Sequence, residues 1–478
     1  MMVQKPVEIP DEEWQQMSPA TQVFIGQLVE RTRQLEAQMQ NLQEQLGQNS
    51  HNSSRPPSSD RPDQAKKEQP GKAKKSQRQR GGQPGHAHHP RVLKPIEQVN
   101  KVVLVKPEQC RHCGAALTGE DPQPHRHQVT EIPPFEPVVI EYQLASLTCH
   151  QCSQTTRASL PVGVPERAFG PRLQSIGSLL TGVYRLSRRQ VAALMVDLFR
   201  VEVALGSLKN LEEDTAEAVA QPVAAAQTYV QTQAQANLDE TGWFQEHKPA
   251  WLWVAVTTWV TVFVIRFSRG GKVARELLGE NFSGIVNCDR WSAYNWLHPS
   301  QRQLCWAHLL RDFLAFVERG GTSAPIGQAL LTEAELMFAW WYKLREGHIQ
   351  RDLFQEVMQP IQAEITRLLD QGTTCQHPKT AATCAHILKR QAALWTFVEV
   401  AGIEPTNNAA ERAIRTGVIW RKTSLGTQSE AGSLFVERML TVSATLKQQN
   451  RNVLDYLTAA CIARLSNQPA PSLLPPSL

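Results

Sequence analysis

The apolar run from Ala250 to Ile265 leaves this chain few choices. It is shorter than the roughly 20 residues a membrane-spanning helix needs. It is also rich in Trp, Val and Thr. β-Branched and aromatic residues favour extended chain, so the run is predicted to form two strands joined near Thr257-Thr258. No membrane is expected as a partner.

A second constraint is an abrupt change of composition. With 478 residues and 41% hydrophobic content, the chain should hold roughly two to four folded units and at least one large core. The segment 49–95 cannot contribute to one. Its start, Asn49-Ser50-His51-Asn52-Ser53-Ser54-Arg55-Pro56-Pro57-Ser58-Ser59, buries no apolar face and is predicted to be a disordered basic linker. Between Arg55 and Lys94 eleven Lys/Arg stand against three Asp/Glu, an excess of +8 in a chain of net charge +5, which leaves −3 elsewhere. Such a tract meets a polyanion or is a solvated linker that contacts nothing.

Before the linker, residues 1–48 carry a punctuated helix. Ser18 caps it, Pro19 suits its first position and Gly47 ends it. Ile25, Leu28, Thr32, Leu35, Met39, Leu42 and Leu46 recur three and four apart. That is a heptad seam, predicting a short coiled coil and a homodimer or higher oligomer. The alternative is an amphipathic helix docked on its own core. Glu8, Asp11, Glu12 and Glu13 stand where an export signal would be basic and then apolar. Nine cysteines without such a signal point to thiols and metal ligands rather than disulfides, and to a cytoplasmic location.

After the linker, residues 96–165 contain Cys110-Arg111-His112-Cys113 and Cys149-His150-Gln151-Cys152. Two such pairs supply four thiolates to a tetrahedral structural Zn²⁺, so a zinc-ribbon-like module is predicted on Cys110, Cys113, Cys149 and Cys152. His112 and His150 are rival ligands. The 35 residues between the pairs are partly filled by alternating Val138, Ile140, Tyr142 and Leu144, which predict a β-hairpin. Residues 166–225 are predicted helical. Ser187-Arg188-Arg189-Gln190 is a capping-box pattern, a break follows near Arg200 to Gly206, and a second helix starts from Ser207. These helices are a DNA-reading helix-turn-helix, with Arg188 and Arg189 as DNA contacts, or simply a packed pair.

Residues 226–465 carry the chemistry, ahead of a flexible tail over 466–478. A strand holds Asp239, further strands run from Trp251 to Phe267, a helix lies near Lys272 to Leu278 and a strand ends at Asp289. The strand Gln303-Leu304-Cys305-Trp306 leads to His308, a helical insertion spans about 309–400, and a helix opening at Thr406-Asn407-Asn408 bears Glu411. The order describes a ribonuclease-H-like catalytic core in a multidomain α/β protein. Asp239, Asp289 and Glu411 are the predicted catalytic residues, because acids brought together from distant segments are what two divalent metals need for in-line attack on a phosphodiester. Taken singly, each is an ordinary strand-end or helix-surface acid. Glu404, Glu430 and Glu437 are rivals for the third position; Glu411 is preferred because Asn407 or Asn408 caps its helix, leaving it in the first turn. Arg412, Arg415, Arg421 and Lys422 are predicted to hold DNA phosphates, with Arg415 alternatively paired to Glu411. Trp291 and Tyr294 stack on a base or are core aromatics. His308 is an auxiliary group at the metal or a satisfied core histidine.

These residues carry a resemblance. Asn52-Ser53-Ser54-Arg55-Pro56-Pro57-Ser58-Ser59-Asp60, Gly81-Gly82-Gln83-Pro84-Gly85-His86, the double Cys pair, Asp239-Glu240-Thr241, Cys288-Asp289-Arg290-Trp291-Ser292-Ala293-Tyr294, Cys305-Trp306-Ala307-His308-Leu309-Leu310-Arg311-Asp312-Phe313 and Thr406-Asn407-Asn408-Ala409-Ala410-Glu411-Arg412 stand in family order. The chain resembles bacterial transposases of the insertion sequence sixty-six family, of the Asp-Asp-Glu class. Glu240, beside the first acid, departs from the family and competes for the ligand role. The resemblance implies an enzyme with two Mg²⁺ ions per active site, held by Asp239, Asp289 and Glu411. It would cut the ends of an insertion sequence and join them to target DNA, acting at the bacterial nucleoid, with accessory element-encoded proteins as partners. Rival readings are a DNA-binding regulator with an inactive nuclease-like core and an enzyme acting on RNA–DNA hybrids.

Overall fold

The computed structural model describes residues 9–48, Asn52 and 92–475. In chain order the elements are α1 (Asp11–Gln16), α2 (Pro19–Gly47), β1 (Ser146–Thr148), β2 (Thr155–Arg157), α3 (Pro171–Gly182), α4 (Arg188–Phe199), α5 (Leu205–Ala218) and α6 (Ala220–Gln231). Then come β3 (Gln235–Gln245), β4 (Lys248–Val256), β5 (Thr261–Arg266), α7 (Gly271–Leu278), β6 (Ile285–Cys288) and β7 (Arg302–Leu304). The chain finishes with α8 (Trp306–Arg319), α9 (Ser323–Arg345), α10 (Arg351–Thr373), α11 (Pro378–Leu388), α12 (Thr396–Glu399), α13 (Asn408–Ser424), α14 (Glu430–Gln448) and α15 (Val453–Leu465). Among the described residues two compact units result, one from 9–48, Asn52, 138–197 and 201–475, the other from 92–137 and 198–200. Nearly all of the linker expected over 49–95 lies outside the described residues.

The apolar run forms β4 and β5, turned where Thr257 and Val260 hydrogen-bond to one another. These strands belong to a five-stranded mixed sheet of order β5-β4-β3-β6-β7. β4 is antiparallel to β3 and β5, whereas β6 is parallel to β3 and β7 parallel to β6. Trp253, Val254, Phe263 and Val264 are all buried, which is what a continuous apolar strand pair requires. Among the described residues, no helix is long and apolar enough to cross a membrane.

Helix α14 closes the β5 edge through side chains. Glu437, Thr441 and Thr445 accept hydrogen bonds from the backbone N–H groups of Ile265, Phe263 and Thr261 at 2.7, 2.9 and 3.1 Å. Four helical residues rise about 6 Å and two strand residues about 6.8 Å, so an i, i+4, i+8 row matches alternate strand donors. An edge that would otherwise template strand pairing is thereby satisfied. Between β7 and α13 the chain leaves the sheet to build α8–α12 around a second core that includes Trp306, Phe313, Trp341, Phe354 and Phe397.

Several local expectations change. The alternating residues from Val138 to Leu144 form no strand; the short antiparallel pair is β1 and β2, which flank the second cysteine pair instead. Ser187 and Gln190 make the reciprocal capping hydrogen bonds expected of them. The next helix, α5, buries Leu208, Leu211, Thr215 and Ala216 and packs on α3, α14 and α15. Its apolar side therefore supports the body, as in a packed helix pair and equally in a helix-turn-helix. From Ser466 the chain is no loose tail as far as it is described. Tyr456 Oη donates to the Pro471 carbonyl at 2.7 Å, Gln449 to that of Leu473 at 2.8 Å, and Leu473 is buried. α2 forms with Ser18 capping it through Thr21 N–H, and Leu28, Leu35, Met39, Leu42 and Leu46 are exposed.

Candidate active site

Sheet register brings the first two acids together. The last β3–β6 pair is Asn237 with Asn287; Asp239, within β3, and Asp289, just past the end of β6, each lie two residues beyond it. Asp289 Oδ1 accepts the Trp291 N–H at 2.8 Å, which turns the chain after β6. Glu411 lies in the first turn of α13, and that helix packs on β3 and β4. Gly417 permits the close approach, since a Cβ there would stand 2.1 Å from Leu252 Cδ2. All three carboxylates line one cleft of about 1140 Å³, together with His308, Arg311, Arg412, Arg415 and Lys422.

The electrostatics fit a cation site. Burial, followed by the charges of Glu240, Asp289 and Glu411, pushes the Asp239 carboxyl well above the usual carboxylate range. Nearby negative charge disfavours the ionised form of a buried carboxyl, and a bound cation offsets that cost. Divalent ions with oxygen preference suit such a donor set. Glu240 is a poor competitor for them: Arg269 Nε donates to one of its oxygens at 2.9 Å and the Tyr294 hydroxyl to the other at 2.6 Å. Tyr294 is thus a core residue. Trp291 and Trp251 flank the Arg269 guanidinium, with ring centroids 4.0 and 4.7 Å away.

The rivals for the third acid stand elsewhere. Glu437 is engaged on the β5 edge, and burial raises its carboxyl to about 6. Glu404 and Glu430 are exposed and do not line the cleft. His308, in the first turn of α8, has Nδ1 at 3.6 Å from Glu411 Oε1 and no hydrogen bond on that nitrogen. Burial lowers its pKa. The Cys305 thiol donates to the same Glu411 oxygen at 3.8 Å, and burial holds that thiol up at about 12.

Not every predicted cation is free for DNA. Arg421 donates to the Gly242 carbonyl and, at 3.3 Å, to Thr241 Oγ1, tethering α13 to β3. Arg188 pairs with the buried Glu212 at 2.5 Å. Arg412, Arg415, Lys422 and Arg189 are exposed. Glu411 faces His308 and Arg311; among the ion pairs of the described residues, none joins it to Arg415.

Asn407 plays a part the sequence reading missed. Its side chain does not cap α13. Instead Nδ2 donates to the Leu238 carbonyl at 2.6 Å, and its backbone N–H meets Cys305 Sγ at 3.2 Å. It ties the residue before Asp239 to the helix that carries Glu411. The only hint was the Asn-Asn pair itself, which local rules assign to capping.

The two cysteine pairs fold alike. Gly114 N–H donates to the Cys110 carbonyl and Ser153 N–H to that of Cys149, each at 2.9 Å. Gly114 and Ser153 both take positive φ, 73° and 57°. Backbone N–H groups, of His112 and Cys113 in one knuckle and Cys152 and Gln151 in the other, hold the Cys110 and Cys149 thiols below their usual range. That favours thiolate, the form that binds zinc.

Comparison with known families accords with this geometry. Residues 107–153 match the zinc-finger binding domain of transposase IS66, which makes this segment a zinc-finger module, and residues 9–92 match a family of unknown function (DUF6444). The uncharacterized protein y4qI of Sinorhizobium fredii is 30% identical over 236 residues, 44% of this chain and 42% of its own length. The chain therefore spans less than half of that relative. Residues 185–434, more than half of the chain and all of the cleft's acidic residues, match the Transposase IS66 family. The chain belongs to that family.

Proposed function

We propose that the protein is a DNA transposase whose catalytic domain, residues 226–465, has the ribonuclease-H-like arrangement. The order β5-β4-β3-β6-β7, with two antiparallel pairings on one side of β3 and two parallel pairings on the other, supports that reading. The observation that carries the chemistry is that Asp239, Asp289 and Glu411 line one cleft, with the Asp239 carboxyl raised by burial and then by the charges of Glu240, Asp289 and Glu411. Asp239, Asp289 and Glu411 would hold two Mg²⁺ ions, whose chemistry when bound would be to lower the pKa of an attacking water or DNA 3′-hydroxyl and stabilise the departing oxygen.

The chain's own residues do the rest. Arg412, Arg415 and Lys422, exposed on α13, grip phosphates and set the strand in register without reading bases. Arg269 and Tyr294 hold Glu240 away from the ions. His308 lies against Glu411 and restrains it from one side. The zinc-finger segment 107–153 would hold a structural Zn²⁺, Arg189 adds a DNA contact, and the open apolar seam of α2 joins two copies so that both element ends are cut in one assembly.

Strand cleavage and joining by wild type and Asp289→Ala, with Mg²⁺ and DNA carrying the element's ends, tests the proposal. Wild type should cut and the variant should not. Equal activity rejects the site; activity in neither makes the protein a DNA-binding regulator.

A further inference from the structure

Beside the acidic cleft the charge reverses. Arg290, Arg302, Lys389 and Arg390 surround His386 where the loop after β6 meets the end of α11. Their hydrogen bonds go mostly to neutral acceptors. Arg390 Nη2 and Arg302 Nη1 both donate to Asn295 Oδ1, at 3.1 and 3.3 Å, so two guanidiniums share one amide oxygen. Arg390 Nη1 donates to the His386 carbonyl at 3.1 Å. Arg302 is 3% exposed, its Nε has no partner, and its Nη2 reaches only the main-chain carbonyl of Asp289, at 3.2 Å. Arg290 meets His386 Nδ1 at 3.1 Å and pairs with Asp312. Among the described residues, Asp312 is the one carboxylate ion-paired to the group.

Four cations around one paired carboxylate repel each other, and a buried guanidinium without a counter-ion is costly. The strain is visible in the neighbours: burial and then the surrounding cations hold His386 down at about 4 and lower the pKa of Arg390. What is missing is an anion. Phosphate oxygens match a fork of guanidiniums better than any other common anion in a nucleic-acid cleft. The cluster is joined to that cleft, since Arg290 follows Asp289 directly and Arg302 holds the Asp289 carbonyl.

We propose that Arg290, Lys389 and Arg390, with Arg302 beneath them, form a binding site for a backbone phosphate of the DNA strand next to the one held by the acidic cleft. The assignment rests on the DNA-processing reading of that cleft. The phosphate supplies the absent counter-charge, and the site positions the duplex without reading its bases.

The test is fluorescence anisotropy with a labelled duplex of arbitrary sequence and the full chain in Ca²⁺, across a salt series. The double variant Lys389→Gln, Arg390→Gln should bind roughly tenfold more weakly, and its log–log salt slope should be shallower by about 0.9 for each phosphate contact removed. Lys343→Gln, which removes a cation stacked on Trp340 at 4.0 Å, should change neither. The melting temperature of the double variant should not fall, because like-charge repulsion is relieved and only neutral acceptors are vacated. Wild-type affinity and slope in the double variant overturn the proposal. So does weakened binding accompanied by a lower melting temperature, which marks a structural role. If wild type binds through this cluster yet cuts no strand, the transposase reading fails and this one stands.

Discussion

Replacing Asn407 by Ala tests whether the acidic cleft is held together by one buried amide. Asn407 is 1% exposed, and its Nδ2 donates to the Leu238 carbonyl at 2.6 Å, immediately before Asp239. The variant loses a net hydrogen bond, about 1 kcal/mol, and leaves that carbonyl without its donor, which costs about 1–3 kcal/mol. Asn407 Oδ1 is itself buried without a partner, so truncation also removes one unfavourable group, and a net loss of about 2 kcal/mol is expected. In a domain of this size that lowers the melting temperature by about 4–8 °C. The functional effect should exceed the structural one. Asn407 spaces β3 from the start of α13, and a misplacement near 1 Å costs on the order of 100-fold in rate. Asn407→Asp, which keeps the shape but loses the donor, should behave no better. Thermal melting, then strand cleavage with Mg²⁺ well below the variant's melting temperature, measures both. An Asn407→Ala protein that melts within about 1 °C of wild type, on the scale set by that stability loss, and cuts as fast would refute the tie.

Other consequences are simpler. The Glu437 carboxyl, raised by burial to about 6 from 4.5, binds its proton more tightly in the folded protein, so stability falls as pH rises from 4.5 to 6 and the penalty persists above. Glu437→Gln keeps an acceptor for Ile265 N–H, should flatten melting temperature across that window and should gain about 1–2 kcal/mol at pH 7.5, less whatever the Arg266 pair contributes; an unchanged pH profile would count against it. Cys149→Ser should drop tightly bound zinc from about one ion per chain to near none by metal analysis under reducing conditions, and full retention would remove Cys149 from the ligand set. Leu35→Glu with Leu42→Glu places charge in the open seam of α2 and should halve the mass seen by light scattering if two chains pair there. A mass that does not move would leave that seam without a partner strand.

Much of the site was legible because its cues are local. The stiff, apolar residues of Ala250 to Ile265 favour extended chain wherever they lie, and they form β4 and β5. Ser187 with Gln190 encodes its own cap within four residues. The cysteine knuckles carry their turn geometry with them. The acids at Asp239 and Asp289 could be read from the strands that carry or precede them, and parallel register sets them level.

Partners of polar groups were another matter, because they depend on which distant segments meet. Asn407 looked like a cap and became a strand tether: its Nδ2 donates to the Leu238 carbonyl once β3 lies beneath α13, and its Oδ1 accepts from no helix N–H. Glu240 looked like a ligand until Arg269 and Tyr294 converged on it from two other elements. Arg188 and Arg421 looked like DNA contacts and were claimed by Glu212 and Gly242. Val138 to Leu144 alternated like a strand without a neighbour to pair with. Backbone preference is written in windows of a few residues. The pairing of charges and hydrogen bonds is settled only when the whole chain has closed around them.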